Sequence, residues 1–173
     1  MTTNLNLAGG TTLTSDTSNV SSDYTLPSSS TRGFSSDSTA YVYNSDSTTC
    51  GNSSPCYSYY SWRAATANTK LSSGNATSDI CPKGWRLPTK ANFNTLKASY
   101  STGATLTASP WYGVYTGFKD NNSFYDGGSS GFYWSSTVES SDYAFSLYFG
   151  SSGANVGSYY SKRRGFSVRC VAQ

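Results

Sequence analysis

Apolar and polar positions alternate with a period of two through most of the second half of the chain, and one stretch switches to a helical period. Tyr143, Phe145, Leu147 and Phe149 fall on one side of a predicted strand over residues 143–149. Residues 111–118 and 132–137 predict further short strands, with turns at 119–122, at Asp126-Gly127-Gly128 and over 150–157. The last segment, 165–171, alternates as well, which predicts Phe166, Val168 and Cys170 inside and Ser167 and Arg169 on the other side. The helical exception follows Pro88. Phe93, Leu96 and Tyr100 stand at i, i+3 and i+7, and Thr89 is suited to cap a helix over 90–99. Its stripe is expected to pack beside Trp85 and Leu87. Upstream, residues 39–43 read as a strand and 57–67 as a strand turning into a short helix, with the aromatic run placed in the core.

Residues 1–38 differ in texture. Ser, Thr, Asn and Gly dominate, with apolar residues only at scattered points such as Leu5, Leu13, Val20 and Leu26. So few apolar residues cannot build a core of their own. The segment is expected to be an extension or stalk that docks a strand or two on a single domain spanning 39–173.

Composition narrows the chemistry. Charged residues make up only 12% of the chain, so solubility falls to Ser, Thr, Asn and Gly, while 16% aromatic content is too rich for a disordered chain. There is no histidine, which removes Ser–His–Asp and Cys–His catalysis and most zinc or non-haem iron sites. Glu139 is the sole glutamate, so a Glu pair for glycoside hydrolysis cannot form. A net charge of +3 is too small to imply nucleic acid. No apolar run reaches membrane-spanning length, and Met1-Thr2-Thr3-Asn4 lacks the basic start and apolar core of a leader, so any leader or anchor is expected upstream.

Four cysteines, Cys50, Cys56, Cys81 and Cys170, in a chain of this texture are expected to be oxidised, which places it outside the cytosol. Of three pairings, Cys50–Cys56 with Cys81–Cys170 is preferred. Residues 51–55 read as a tight turn, and the other two cysteines begin and end the domain.

Cys81-Pro82-Lys83-Gly84-Trp85-Arg86-Leu87-Pro88-Thr89, Tyr133-Trp134-Ser135-Ser136-Thr137 and Gly165-Phe166-Ser167-Val168-Arg169-Cys170-Val171 resemble, in order, three signature blocks. They are those of the FISUMP-type (major paralogous) domains of secreted bacterial proteins, and the likeness covers residues 57–171. That family in turn resembles the C-type-lectin-like fold of formylglycine-generating enzymes and of diversity-generating-retroelement variable proteins. The resemblance implies an α+β, C-type-lectin-like domain with a twisted antiparallel sheet, few helices and long loops.

Two family activities do not transfer to these residues. Formylglycine-generating oxidases need an active-site cysteine pair, whereas Cys81 and Cys170 are expected to form a structural bridge. Calcium-type lectins use Glu-Pro-Asn or Gln-Pro-Asp with Trp-Asn-Asp, and none of these occurs. No cofactor is expected, and a structural calcium would have to draw on Asp120, Asp126, Glu139 and Asp142.

In retroelement variable proteins the stretch before the last strand carries the binding residues, which here corresponds to 137–164. With Trp134, the resulting ligand-binding set is Glu139, Asp142, Tyr143, Ser146, Tyr148, Ser151, Asn155, Ser158, Tyr159, Tyr160, Lys162 and Arg163. Tyr, Ser, Gly and Asn are the residues of antibody loops, where Tyr supplies amphipathic area at low rotamer cost. Lys162-Arg163-Arg164 beside Tyr159 and Tyr160 is expected to be a solvated turn, with a grip on phosphate, sulfate or carboxylate as the alternative. Arg86 and Arg169 are expected to be structural, stacked on Trp or bonded to loop carbonyls.

The expectation is therefore a non-enzymatic recognition domain, extracellular or anchored at the cell surface and diversified by a retroelement. Its partner would be a protein or glycan on another cell surface, with no nucleic acid bound and no membrane insertion. The rivals are a structural adhesin module without a ligand and a degenerate formylglycine-type oxidase.

Overall fold

The computed structural model describes residues 1–28, 42–44, 58–100, 104–121 and 123–173. Within them the chain is mixed α/β, mostly strands with few helices. In order come β1 (Thr12–Leu13), β2 (Tyr24–Thr25), β3 (Val42–Asn44), β4 (Ser58–Tyr60), α1 (Trp62–Ala65), β5 (Trp85–Arg86) and α2 (Lys90–Ala98). A 3-10 turn (Ala104–Thr107) follows. The remaining strands are β6 (Phe118–Asp120), β7 (Ser123–Tyr125), β8 (Ser130–Val138), β9 (Tyr143–Gly150), β10 (Gly153–Asn155), β11 (Tyr159–Ser161) and β12 (Val171–Ala172).

β8 and β9 form an antiparallel hairpin, in register from Ser130↔Gly150 to Trp134↔Ser146 and again at Val138↔Ala144, with an irregularity between. β10 and β11 share the other edge of β9, at 148–150 and 143–145. On the far side of β8, Ser167 lies parallel to Tyr133, and Phe166 lies antiparallel to Tyr60 in β4. β4 in turn pairs with β3. The sheet thus continues across single-residue bridges through the segment 165–168.

Both faces of β8 and of much of β9 are buried, each by its own cluster. Phe132, Trp134 and Ala144 enter one, with Tyr60, Trp62, Leu87, Phe118, Phe166 and Val168. Tyr133, Leu147 and Phe149 enter the other, with Phe93, Leu106 and Trp111. Strands covered on both sides read as near-continuous apolar runs, which is why β8 carries Phe-Tyr-Trp without interruption. Packing is close enough to fix small residues: a Cβ on Gly131 would sit 2.5 Å from the ring of Phe149. The stripe of α2 departs from expectation, because Phe93 packs edge-on against Trp111 in the second cluster, not beside Leu87 in the first. The seating of the first turn accounts for this: behind the capping box of Thr89 with Asn92, Lys90 N donates to Thr137 Oγ1 of β8 at 2.9 Å, and Phe93 follows on the side of the second cluster.

The two ends of the domain are joined. Cys81 and Cys170 form a disulfide, both fully buried, and β5 pairs with β12 through Val171↔Arg86 and Ala172↔Trp85. Beneath this staple the Asp79 carboxylate accepts from Cys81 N at 2.9 Å, Leu87 N at 3.0 Å and Asn19 Nδ2 at 2.8 Å. Burial raises its pKa, opposed by these donors and by Arg86. Cys50 and Cys56 lie outside the described residues.

Residues 1–28 are built into the first cluster. Leu5, Leu13, Val20 and Leu26 are buried there, and Leu5 N donates to Val168 O while Asn19 N donates to Cys81 O, both at 2.8 Å. This stretch is therefore more than a stalk with a docked strand. The expected boundary at residue 38 lies outside the described residues.

Two outcomes follow for stability. Replacing both Cys81 and Cys170 by Ala opens a loop of 89 residues and should cost about 4–5 kcal/mol on chain-entropy grounds, read by denaturant unfolding. Leu26→Ala should cost about 3 kcal/mol, since the side chain is fully buried; a change near zero would show that the N-terminal segment only rests on the surface.

Candidate functional site

Side chains alternate along a strand, so β9 and β11 divide the expected binding residues between two faces. Tyr143 faces Ser161 across the ladder, and Phe145 faces Tyr159. Tyr160 sits opposite Ala144, and Asn155 opposite Tyr148, on the other face. Tyr143 and Tyr148 are five apart and Tyr159 and Tyr160 adjacent, so neither pair can share a surface. Ser151 lies at the far end of β9 from Tyr143, about 25 Å of strand away.

On the first face an aromatic ridge stands open. Tyr143 and Tyr159 meet edge-to-face with centroids 5.8 Å apart and remain 43% and 51% exposed. Phe145 lies edge-on to Tyr159 at 6.0 Å, and Lys90, from the first turn of α2, sits over the Phe145 ring at 3.6 Å. Neighbouring polar groups are exposed Ser141 and Asp142, joined by a hydrogen bond of 3.1 Å, and Glu139 in the same turn. The ridge is rigid because two strands and a helix hold it.

Three expected binding residues are not on either surface. Trp134 is fully buried, stacked on Phe166 at 4.2 Å, with its indole N–H bonded to Tyr60 O. Ser146 is fully buried beside it, because its position in β9 points into the first cluster. Lys162 is also buried. Its ammonium donates to the carbonyls of Leu71, Ser140 and Ser141, each at 2.8 Å, and lies over the Trp62 ring at 4.6 Å. This cation cross-links the β8–β9 turn to the body of the domain, and its ammonium is committed to those three carbonyls. Asn155 has a similar shaping role, its side-chain oxygen accepting from Gly157 N and Ser158 N in the turn before β11.

The second face holds Tyr148 and Tyr160, both half-buried, with Arg163 and Arg164 beside them. Arg164 lies over the rings of Phe118 and Tyr160, and its Nε bonds to Asp120 at 3.0 Å. Arg163 Nε approaches the same carboxylate at 4.0 Å. Burial raises the Tyr160 pKa, and Arg164 opposes the shift. The expectation of a plain solvated turn for 162–164 therefore fails: one cation is buried and one is clamped between rings. Among the described residues no three Asp, Glu, Cys or His side chains gather where a metal ion would be held.

A family model described as a domain of unknown function, DUF8237, matches residues 110–171, under half of the chain. No curated protein and no solved structure matches. The matched stretch contains Tyr143, Phe145 and Tyr159 of the ridge and the whole second face. No helix among the described residues is long and apolar enough to cross a membrane.

Phe145, Lys90 and Tyr125 belong to these surfaces and were not singled out from the sequence. The period-two pattern puts Phe145 on one side with Tyr143, Leu147 and Phe149; Leu147 and Phe149 are buried there, whereas Phe145 lies opposite exposed Tyr159 at the edge of the sheet. Tyr125, 46% exposed and stacked on Phe118 at 5.1 Å, precedes the 137–164 stretch altogether.

Lys162→Ala should destabilise the protein by about 2–4 kcal/mol, because three carbonyls lose their donor and a ring loses its cation. Lys162→Met should recover little of that, since it refills the volume and supplies no donor. Urea unfolding of the two variants makes the comparison.

Proposed function

We propose that this chain is a non-enzymatic recognition domain of C-type-lectin-like fold, which holds a protein or glycan against the ridge of Tyr143, Phe145 and Tyr159. The observation that carries the reading is the open edge-to-face tyrosine pair on a rigid sheet. Two large aromatic rings left nearly half exposed cost solvation that burial elsewhere in this chain avoids, and a ligand would recover it. Tyrosine presents an apolar ring and a hydrogen-bonding tip with few rotamers to freeze, which suits either kind of partner. Lys90 over Phe145 adds a charge at the rim, where charge sets partner choice.

The lectin-like assignment draws on the three signature blocks and on the joining of the domain ends by the Cys81–Cys170 disulfide and the β5–β12 pair. A buried disulfide also fits an extracellular or surface-anchored chain. The same disulfide supports the non-enzymatic reading, because the thiols an oxidase would need are joined and inaccessible. Retroelement diversification is compatible with the ridge: Tyr143 and Tyr159 project outward, so exchanging them leaves the core unchanged.

An array of glycans and cell-surface proteins probed with the intact chain tests the proposal. Tyr143→Ala and Tyr159→Ala should each weaken a captured ligand about tenfold or more while moving unfolding stability by less than about 1 kcal/mol. Capture that survives both substitutions, or no capture at all, would favour a structural module instead.

A further inference from the structure

The second face carries an arrangement that the ridge does not need. Arg164 is fixed by three contacts, the Phe118 ring at 5.0 Å, the Tyr160 ring at 5.1 Å and Asp120 at Nε. Its two terminal nitrogens reach the surface and have no partner among the described residues. Guanidinium groups so held lose little freedom on meeting a second anion, and the Nη1/Nη2 edge matches the spacing of a carboxylate. The surroundings are amphipathic: Tyr125 stacks on the other partner of Arg164, Phe118, and Tyr148 and Tyr160 pack around Phe132. An open ring beside a carboxylate fork is what a sugar bearing an acid group requires, its C–H face on the ring and its acid on the guanidinium.

We propose that Arg164, with Tyr125, Tyr148 and Tyr160, forms a binding site for the carboxylate of an acidic sugar residue of the uronate kind. Charge alone does not create it. Arg163 and Arg164 face Asp120, and Asp126 lies within electrostatic reach of Tyr160, so the local charges nearly cancel and long-range attraction of anions is weak. Recognition then rests on the fork and the rings at short range, and an ammonium cannot replace the guanidinium. The site lies on the opposite side of the sheet from the tyrosine ridge and stands or falls separately from it.

The probe is a short oligogalacturonate, titrated calorimetrically into the intact chain against its methyl-esterified form. The acid form is expected to bind at least tenfold more tightly than the ester. Arg164→Lys and Arg164→Gln should each lose that preference, and Tyr125→Ala, at an exposed position that leaves the fold intact, should weaken both forms severalfold. Tyr143→Ala and Tyr159→Ala should change neither. Equal affinity for acid and ester, undiminished binding by Arg164→Lys or by Tyr125→Ala, or no binding of the oligogalacturonate would overturn the proposal. A glutamate-rich peptide that binds as tightly would overturn the assignment to sugar.

Discussion

Phe166 is the ring on which the fold turns. Trp134 stacks on it, Phe118, Phe132 and Tyr160 pack around it, and its main chain bonds to Tyr60 while Ser167 bonds to Phe132 and Trp134. The segment 165–168 thereby fills the sheet between β4 and β8, joining strands that are far apart in sequence. Its continuation supplies Cys170 to the staple and Val171 to β5. A chain with only three residues in β4 and two in β5 could not hold such strands by backbone bonds alone. Aromatic burial on one short segment, locked by a disulfide, substitutes for long ladders.

Cations are used in an unusual way in this interior. Arg169 is almost fully buried, yet it bonds to the carbonyls of Trp111 and Tyr112 and to the side-chain oxygen of Asn4, and lies over Trp111 and Tyr133. Lys162 follows the same rule with three carbonyls and Trp62. With only nine acidic residues in the chain, carbonyl dipoles and ring faces do the work that carboxylates do elsewhere. The cost of burying charge is met only if every donor finds an acceptor, so these residues fix loop positions rather than tolerate them. That is how irregular connections, such as the turn before Tyr143, become rigid enough to present side chains.

What could be read from the sequence follows from which signals are local. The cap at Thr89 and the strand at 143–149 each rest on a short local pattern, and the pairing of Cys81 with Cys170 rests on their places at the two ends of the domain; each is present. The integration of residues 1–28 was hidden because four scattered leucines and valines look like a linker until another element supplies the rest of their core. Trp134 and Lys162 looked like ligand contacts by residue type, but burial depends on what lies across the sheet. The division of the tyrosines between faces was legible all the same: odd and even positions on a strand point apart, and the stretch 137–164 that the resemblance implies contains both parities.

Parity also bears on how such a surface can work. A binding patch made of loops draws residues from any position, whereas one built on β9 and β11 can use only every second residue. The ridge face therefore offers Tyr143, Phe145, Tyr159 and Ser161 as a block, and the residues between them are committed to the core or to the opposite face. Rigidity gained this way lowers the ordering cost of binding, since strand-held rings lose little motion when a partner arrives. It also limits the shapes available, so specificity must come from which side chains occupy four or five fixed directions and from the rim that Lys90, Glu139 and Asp142 provide. A sheet-borne site thus differs from a loop-borne one in the kind of change that alters its partner: substitution at fixed positions, not remodelling of the backbone.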